Sequence, residues 1–260
     1  MSEPLVLFQL DGAIGRITLN RPQSYNAMNL ALMKDFRAAV RQCESERVRA
    51  VVLTGAGKAF SAGGDLAAFA AAADPKAQLK EMADVLHEGI EGLAALDAPV
   101  VAAVNGTAAG AGLSLACSCD LVLAAESAKF TMAYTNAGLC PDGSSTYFVP
   151  RLIGLRRTQE LMLTNRVLTA AEALDWQLVT RVVPDAALAD EATQLATRLA
   201  SGPTRAFGAV KRMLLASSAR DLTAQLALES ESISDLAATP DGQEGIRAFL
   251  EKRKPGFTGA

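Results

Sequence analysis

The sequence predicts an α/β fold that ends in a helical region, and three observations carry this. Short apolar runs alternate with stretches of helical periodicity through residues 1–200. The run Val100–Val104 is apolar at every position, as a strand covered on both faces would be. Beyond Pro150, helical spacing dominates. The chain is therefore divided into a core over residues 1–200 and a helical region over 201–260, with Ser201-Gly202-Pro203 between them.

Taken in order, residues 5–10 and 13–19 flank Asp11-Gly12, a pair that tolerates positive φ at both positions, so an opening hairpin is expected to turn there. Asn20-Arg21-Pro22 ends it. Leu32, Met33, Phe36, Val40 and Cys43 recur at helical spacing and predict a helix to about Glu46. A buried strand is expected over residues 50–54, then a glycine-bearing loop to Leu66 and an alanine-rich stretch over 67–73. Leu79, Met82, Leu86, Ile90, Leu93 and Leu96 mark a helix stopped by Asp97-Ala98-Pro99. After Val100–Val104, residues 105–120 (NGTAAGAGLSLACSCD) read as a glycine-rich turn entering a small-residue helix. Residues 121–124 and 128–132 are expected to form a strand pair. Helices follow over 155–163, 170–176, 186–200, 205–217, 222–237 and 243–252, interrupted by a strand over 179–183.

Composition narrows the function. Half of the 260 residues are hydrophobic and the formal net charge is −3, so no overall field recruits nucleic acid or an anionic membrane. Cys43, Cys117, Cys119 and Cys140 lack paired metal-type spacing and read as buried reduced thiols, with no metal site. With no leader pattern and no apolar run of the ~18 residues a membrane span needs, a soluble cytoplasmic protein is expected.

Two glycine-rich turns, at residues 62–65 and 108–112, each sit where a loop passes into a helix. Free backbone N–H groups there, helped by the helix dipole, suit an oxygen that gains negative charge during a reaction. The same small residues would equally permit tight helix packing. Neither turn is a nucleotide loop, because Ala59 follows Lys58 where Ser or Thr is needed and no G-x-G-x-x-G occurs.

Four ordered motifs carry a resemblance: LNRPQSYNA at 19–27, VLTGAGKAFSAGGDL at 52–66, VNGTAAGAG at 104–112 and GIRAFLEKRKPGF at 245–257. Over nearly its whole length the chain resembles the crotonase, or enoyl-CoA hydratase/isomerase, superfamily. The resemblance implies a spiral of strand-strand-helix turns with C-terminal helices that trimerise the protein, often as a dimer of trimers. It also implies that the N–H groups of Gly64 and Ala111 bind the carbonyl oxygen of an acyl-CoA thioester. Physical chemistry agrees, since a thioester loses an α or γ proton to a side chain only if the enolate is stabilised.

Hydratases of this family carry two glutamates, and their positions here are Ser114 and Tyr134. A hydroxyl has no useful acidity and a phenol with pKa ~10 is a poor neutral-pH base, so hydration by paired glutamates is disfavoured. The remaining carboxylate is Asp142, the only acidic residue between Glu126 and Glu160. It reads either as a turn residue capping a helix that begins near Ser144 or Ser145, or as the base. The pattern AKFTMAY at 128–134 and GLCPD at 138–142 resembles epoxyphenylacetyl-CoA isomerase-like members, in which an aspartate of this loop is the base. Residues 156–166 with Asp175-Trp176 resemble 4-chlorobenzoyl-CoA dehalogenase, which implies a histidine base at His87, a nucleophile at Asp142 and an indole where Tyr134 stands. Without that resemblance, His87 between Leu86 and Ile90 is a helix-surface or core histidine. For the CoA moiety the resemblance points to Ala27, Ala62 and Leu66, with Asp65 beside them, and Lys58, Lys211 or Lys254 could meet its phosphates. No cofactor is expected beyond the CoA of the substrate. An isomerase leads, with a hydratase, a dehalogenase-like hydrolase and a non-catalytic acyl-CoA binder as alternatives.

Overall fold

The computed structural model describes residues 4–260. Strand β1 (Val6–Asp11) pairs antiparallel with β2 (Ile14–Leu19). The register joins Asp11 to Ile14, so the turn is Gly12-Ala13 and not Asp11-Gly12. Gly12 takes φ +59° while Ala13 stays at negative φ, so the glycine alone fixes the turn's place. Helix α1 (Leu30–Ser45) follows, its first turn capped by the Asn29 side chain. Its Phe36 ring is 1% exposed, a burial worth roughly 1.5–3 kcal/mol.

From there the chain winds in turns of strand, strand and helix. The first turn is β3 (Ala50–Gly55), β4 (Ala59–Ser61), and the helices α2 (Leu66–Ala70) and α3 (Pro75–Ala95). The second is β5 (Val100–Val104), β6 (Thr107–Ala109) and α4 (Ala111–Cys117). The third is β7 (Leu121–Ala125), β8 (Lys129–Thr131) and α5 (Ser145–Thr164). The first strand of each turn joins one sheet of order β1-β2-β3-β5-β7-β10, closed by β10 (Arg181–Val183). The second strand joins a smaller sheet of order β4-β6-β8-β9, closed by β9 (Leu168–Thr169). Apart from the β1-β2 and β8-β9 pairs, both sheets are parallel.

The expected pairing of residues 121–124 with 128–132 is thus corrected. Both strands exist, but they belong to different sheets. Helix α5 also begins before Pro150 and breaks at Gly154, whose φ of +76° lies outside the helical region. All five residues of β5 are buried, with α1 packed on α3, and α7 (Leu188–Ala200) lying against β3, β5 and β7.

After α6 (Ala170–Asp175) and α7, the chain ends in α8 (Thr204–Ser217), α9 (Leu222–Ala237) and α10 (Pro240–Leu250). Side chains of the core and the tail tie these helices down. Arg49 donates to the carbonyls of Gly202 and Phe257 at 2.8 and 3.0 Å. Lys211 is 11% exposed and pairs with Asp120 at 3.0 Å, while donating to the Leu93 and Ala98 carbonyls. The outer face of α8–α10 leaves Leu214, Leu222, Ile233 and Phe249 largely in solvent. No helix among the described residues is long and apolar enough to cross a membrane.

Candidate active site

The two glycine-rich turns meet. Gly63 takes φ +90°, and a Cβ there would lie 2.7 Å from the Ala109 carbonyl oxygen and 3.3 Å from the Ala111 nitrogen. The two backbones can approach this closely only because Gly63 has no side chain. Met28 forms a bridge opposite Gly64 by donating to the Gly63 carbonyl and accepting from the Asp65 N–H. The N–H of Gly64 is left out of that ladder. Ala111 is the first residue of α4, so its N–H has no partner within the helix. Gly64 and Ala111 both line one cavity of about 380 Å³. Its walls are mostly apolar, formed by Met33, Phe69, Leu79, Leu86 and Leu139 among others.

Asp142 also lines this cavity, and it is the one carboxylate that does so among the described residues. Its Oδ1 accepts a 2.7 Å hydrogen bond from the Tyr134 hydroxyl. Ser114 lies fully buried behind the phenol, with 3.0 Å between the two hydroxyl oxygens, and within reach of the Gly110 carbonyl. Burial first, and then the neighbouring Asp142 charge, hold the Tyr134 phenol far above its ordinary pKa. It therefore stays protonated and remains a donor. Asp142 does not cap α5. The helix's N-cap is Ser144, without a side-chain cap bond, and only the Asp142 backbone carbonyl meets Ser145. His87 reaches the same loop, where its Nε2 accepts the Gly143 N–H at 3.2 Å and stands 3.6 Å from Asp142 Oδ2.

The remaining expected site residues divide. Ala62 and Leu66 line the cavity with Gly64. Ala27 lies next to the bridging Met28, and its carbonyl accepts from Arg21 at 3.0 Å. The Asp65 side chain is committed to structure: it caps α2 through the Ala68 N–H and accepts from Arg21 at 2.5 Å. Burial raises its pKa, but these hydrogen bonds outweigh that and hold it below the usual range. Lys211 pairs with Asp120 and does not line the cavity. Lys58 and Lys254 are exposed and do not line the cavity. Lys76 and Lys80 do line it, and the sequence reading missed them. The signal was present, because Lys76, Leu79, Lys80, Ala83 and Leu86 follow the i, i+3, i+4, i+7 spacing of one helix face. The expectation of four buried thiols also needs correction: Cys43 and Cys117 are buried, Cys119 is intermediate, and Cys140 is exposed at the cavity. No cluster of potential metal ligands occurs among the described residues.

Residues 9–260 match the family model described as enoyl-CoA hydratase/isomerase. A probable enoyl-CoA hydratase of Rhodobacter capsulatus is 40% identical over all of both chains. The 1,2-epoxyphenylacetyl-CoA isomerase of Escherichia coli is 38% identical over 98% of each chain. A 4-chlorobenzoyl coenzyme A dehalogenase-2 of an Arthrobacter species is 34% identical, over 92% of this chain and 88% of its own. The solved enoyl-CoA hydratase of Bacillus anthracis superposes with a TM-score of 0.92 at 34% identity, over 98% of this chain and 100% of that one.

Proposed function

The chain belongs to the enoyl-CoA hydratase/isomerase family, and from that premise we propose that this acyl-CoA enzyme is an isomerase that moves a double bond along the acyl group of a CoA thioester. The observation that carries the reading is Asp142 as the one carboxylate, among the described residues, that lines the cavity to which Gly64 and Ala111 contribute. The thioester oxygen accepts from the Gly64 and Ala111 N–H groups. Asp142 Oδ2 removes a proton from C2 of a 3-enoyl thioester, giving a dienolate whose oxyanion those N–H groups stabilise. The same oxygen returns the proton to C4, leaving the 2-enoyl isomer. Oδ2 has this role because Oδ1 already accepts from Tyr134. Ser114 and Tyr134 supply no second carboxylate to activate water, which argues against hydration.

No cofactor enters this scheme beyond the CoA of the substrate, and the reading places the enzyme in the cytoplasm. Lys76 and Lys80 are the cations that line the acyl cavity among the described residues, whereas Lys58 and Lys254 do not line it. The exposed apolar face of α8–α10 supports assembly as a homotrimer or a dimer of trimers. A second reading, hydrolysis with Asp142 as nucleophile, is favoured by the 3.6 Å approach of His87. Assays with 3-enoyl-CoA, 2-enoyl-CoA and 4-chlorobenzoyl-CoA separate the readings. Isomerisation supports the proposal. Hydration or halide release as the faster reaction, or ester binding without turnover, rejects it.

A further inference from the structure

His87 uses one nitrogen for two partners that cannot both be satisfied at once. Nε2 accepts the Gly143 N–H at 3.2 Å, which requires its lone pair. The same Nε2 lies 3.6 Å from Asp142 Oδ2, and a hydrogen bond there would require a proton on Nε2. The backbone bond therefore fixes the imidazole as the neutral form that carries its proton on Nδ1. In that form His87 has no proton to offer Asp142, and Oδ2 keeps its lone pairs.

The bond also acts on the loop. Gly143 takes φ +59°, and a Cβ there would stand 3.0 Å from the Ser114 Cβ, so the backbone passes close over α4 immediately after the carboxylate. Helix α3 thus holds the Asp142 loop from one side through His87, while Tyr134 holds the carboxylate from the other.

We infer that His87 is a positioning residue: its neutral Nε2 anchors Gly143 and so keeps Asp142 Oδ2 free and aimed into the acyl cavity. This rests on Asp142 being the base. Protonation of His87 reverses the arrangement. Nε2 loses the lone pair that holds Gly143 and gains a proton that bonds to Oδ2, so the base is occupied. Other charges around α3 are otherwise engaged. Glu88 pairs with Arg37 and Arg41 of α1, Lys34 of α1 with Glu81, and Lys80 with Asp84 on α3 itself. On α8, Lys211 pairs with Asp120 and Arg212 with Asp97. Lys76 lines the cavity at the start of α3, Glu91 lies one turn beyond His87, and across the cavity stand Tyr134, which stays neutral, and Asp142.

His87 is the only histidine, so labelling histidine with ¹⁵N gives a single imidazole to observe by NMR. At neutral pH the resonances should be those of the Nδ1–H tautomer, in the native protein and in Asp142→Asn alike. An Nε2–H tautomer overturns the inference, whatever Asp142 does in catalysis. Kinetics supply the second arm. His87→Ala should lower kcat about tenfold with little change in KM, the scale of one ordered hydrogen bond. His87→Gln, whose amide oxygen can take the Gly143 N–H, should restore kcat to within about threefold of the native protein. His87→Ala at full activity overturns the anchor, and so does His87→Gln as impaired as His87→Ala. Full activity of Asp142→Asn would instead overturn the base itself.

Discussion

The Tyr134 hydroxyl donates to Asp142 Oδ1 at 2.7 Å, and this bond divides the carboxylate into one occupied oxygen and one free oxygen. A phenol held protonated by burial donates to Asp142 and takes no proton from a substrate, so a tyrosine at this position can support the proposed base without replacing it. Removing the hydroxyl frees the carboxylate to rotate. Tyr134→Phe is expected to lower kcat about 10- to 100-fold, as loss of a hydrogen bond to a charged group does, with KM nearly unchanged. Steady-state kinetics on 3-enoyl-CoA check this, and an unchanged kcat would mean that the bond does not orient the base.

The proposed oxyanion hole depends on the approach of the two glycine-rich turns. Gly63→Ala places a methyl group 2.7 Å from the Ala109 carbonyl oxygen at a φ of +90°, against the backbone of residues 109–111 with no flexible side chain to give way. The loss should be 10²- to 10³-fold in kcat, the usual worth of one oxyanion donor. Gly12→Ala has nothing within 4 Å at a φ of +59° and controls for backbone strain alone. It should leave kcat unchanged.

Lys211 ties α8 to the core through Asp120 and the Leu93 and Ala98 carbonyls. Lys211→Met should leave KM for the CoA ester unchanged. It should destabilise the fold by about 2–3 kcal/mol, below the full cost of stranding a buried charge because Asp120 is 29% exposed. Urea unfolding and steady-state kinetics on the same preparation test both halves.

Burial pushes the Cys43 and Cys117 thiols from 9.0 up to about 12. The folded chain keeps these protons to about pH 12, while the unfolded chain releases them near pH 9. Above pH 9 the unfolded state therefore binds fewer protons, so stability falls as pH rises, by ~1.4 kcal/mol per unit for each thiol. Urea midpoints measured from pH 8 to 11 should show the decline, with a shallower slope in Cys117→Ala. In the native state Cys140 should be the first thiol to react with a disulfide reagent.

These features were unevenly legible in the sequence. Long periodic runs such as the one containing Leu32, Phe36 and Val40 gave α1 directly, and Val100–Val104 gave a central strand. The smaller sheet stayed hidden because β4, β6 and β8 have three residues each and β9 has two, too short for any period to register. That absence produced the wrong partner for residues 128–132, since β7 was the only neighbour on offer. At the site, the glycines and Asp142 stood out by residue type. The internal partners of Lys211 and Asp65 were not legible, because a charged side chain looks the same in sequence whether it faces a ligand or another side chain. The reverse happened at Ser114, whose lack of a carboxylate was visible but whose place behind Tyr134 needed the fold.

The central claim is that Asp142 carries the proton. Incubating 3-enoyl-CoA with the native protein, Asp142→Asn and Ser114→Ala, and following the 2-enoyl product by absorbance, tests it most directly. The native protein and Ser114→Ala should isomerise the ester at comparable rates, while Asp142→Asn should fall by about 10²- to 10⁴-fold, the contribution of a positioned general base. Isomerisation by Asp142→Asn at the native rate would contradict the account.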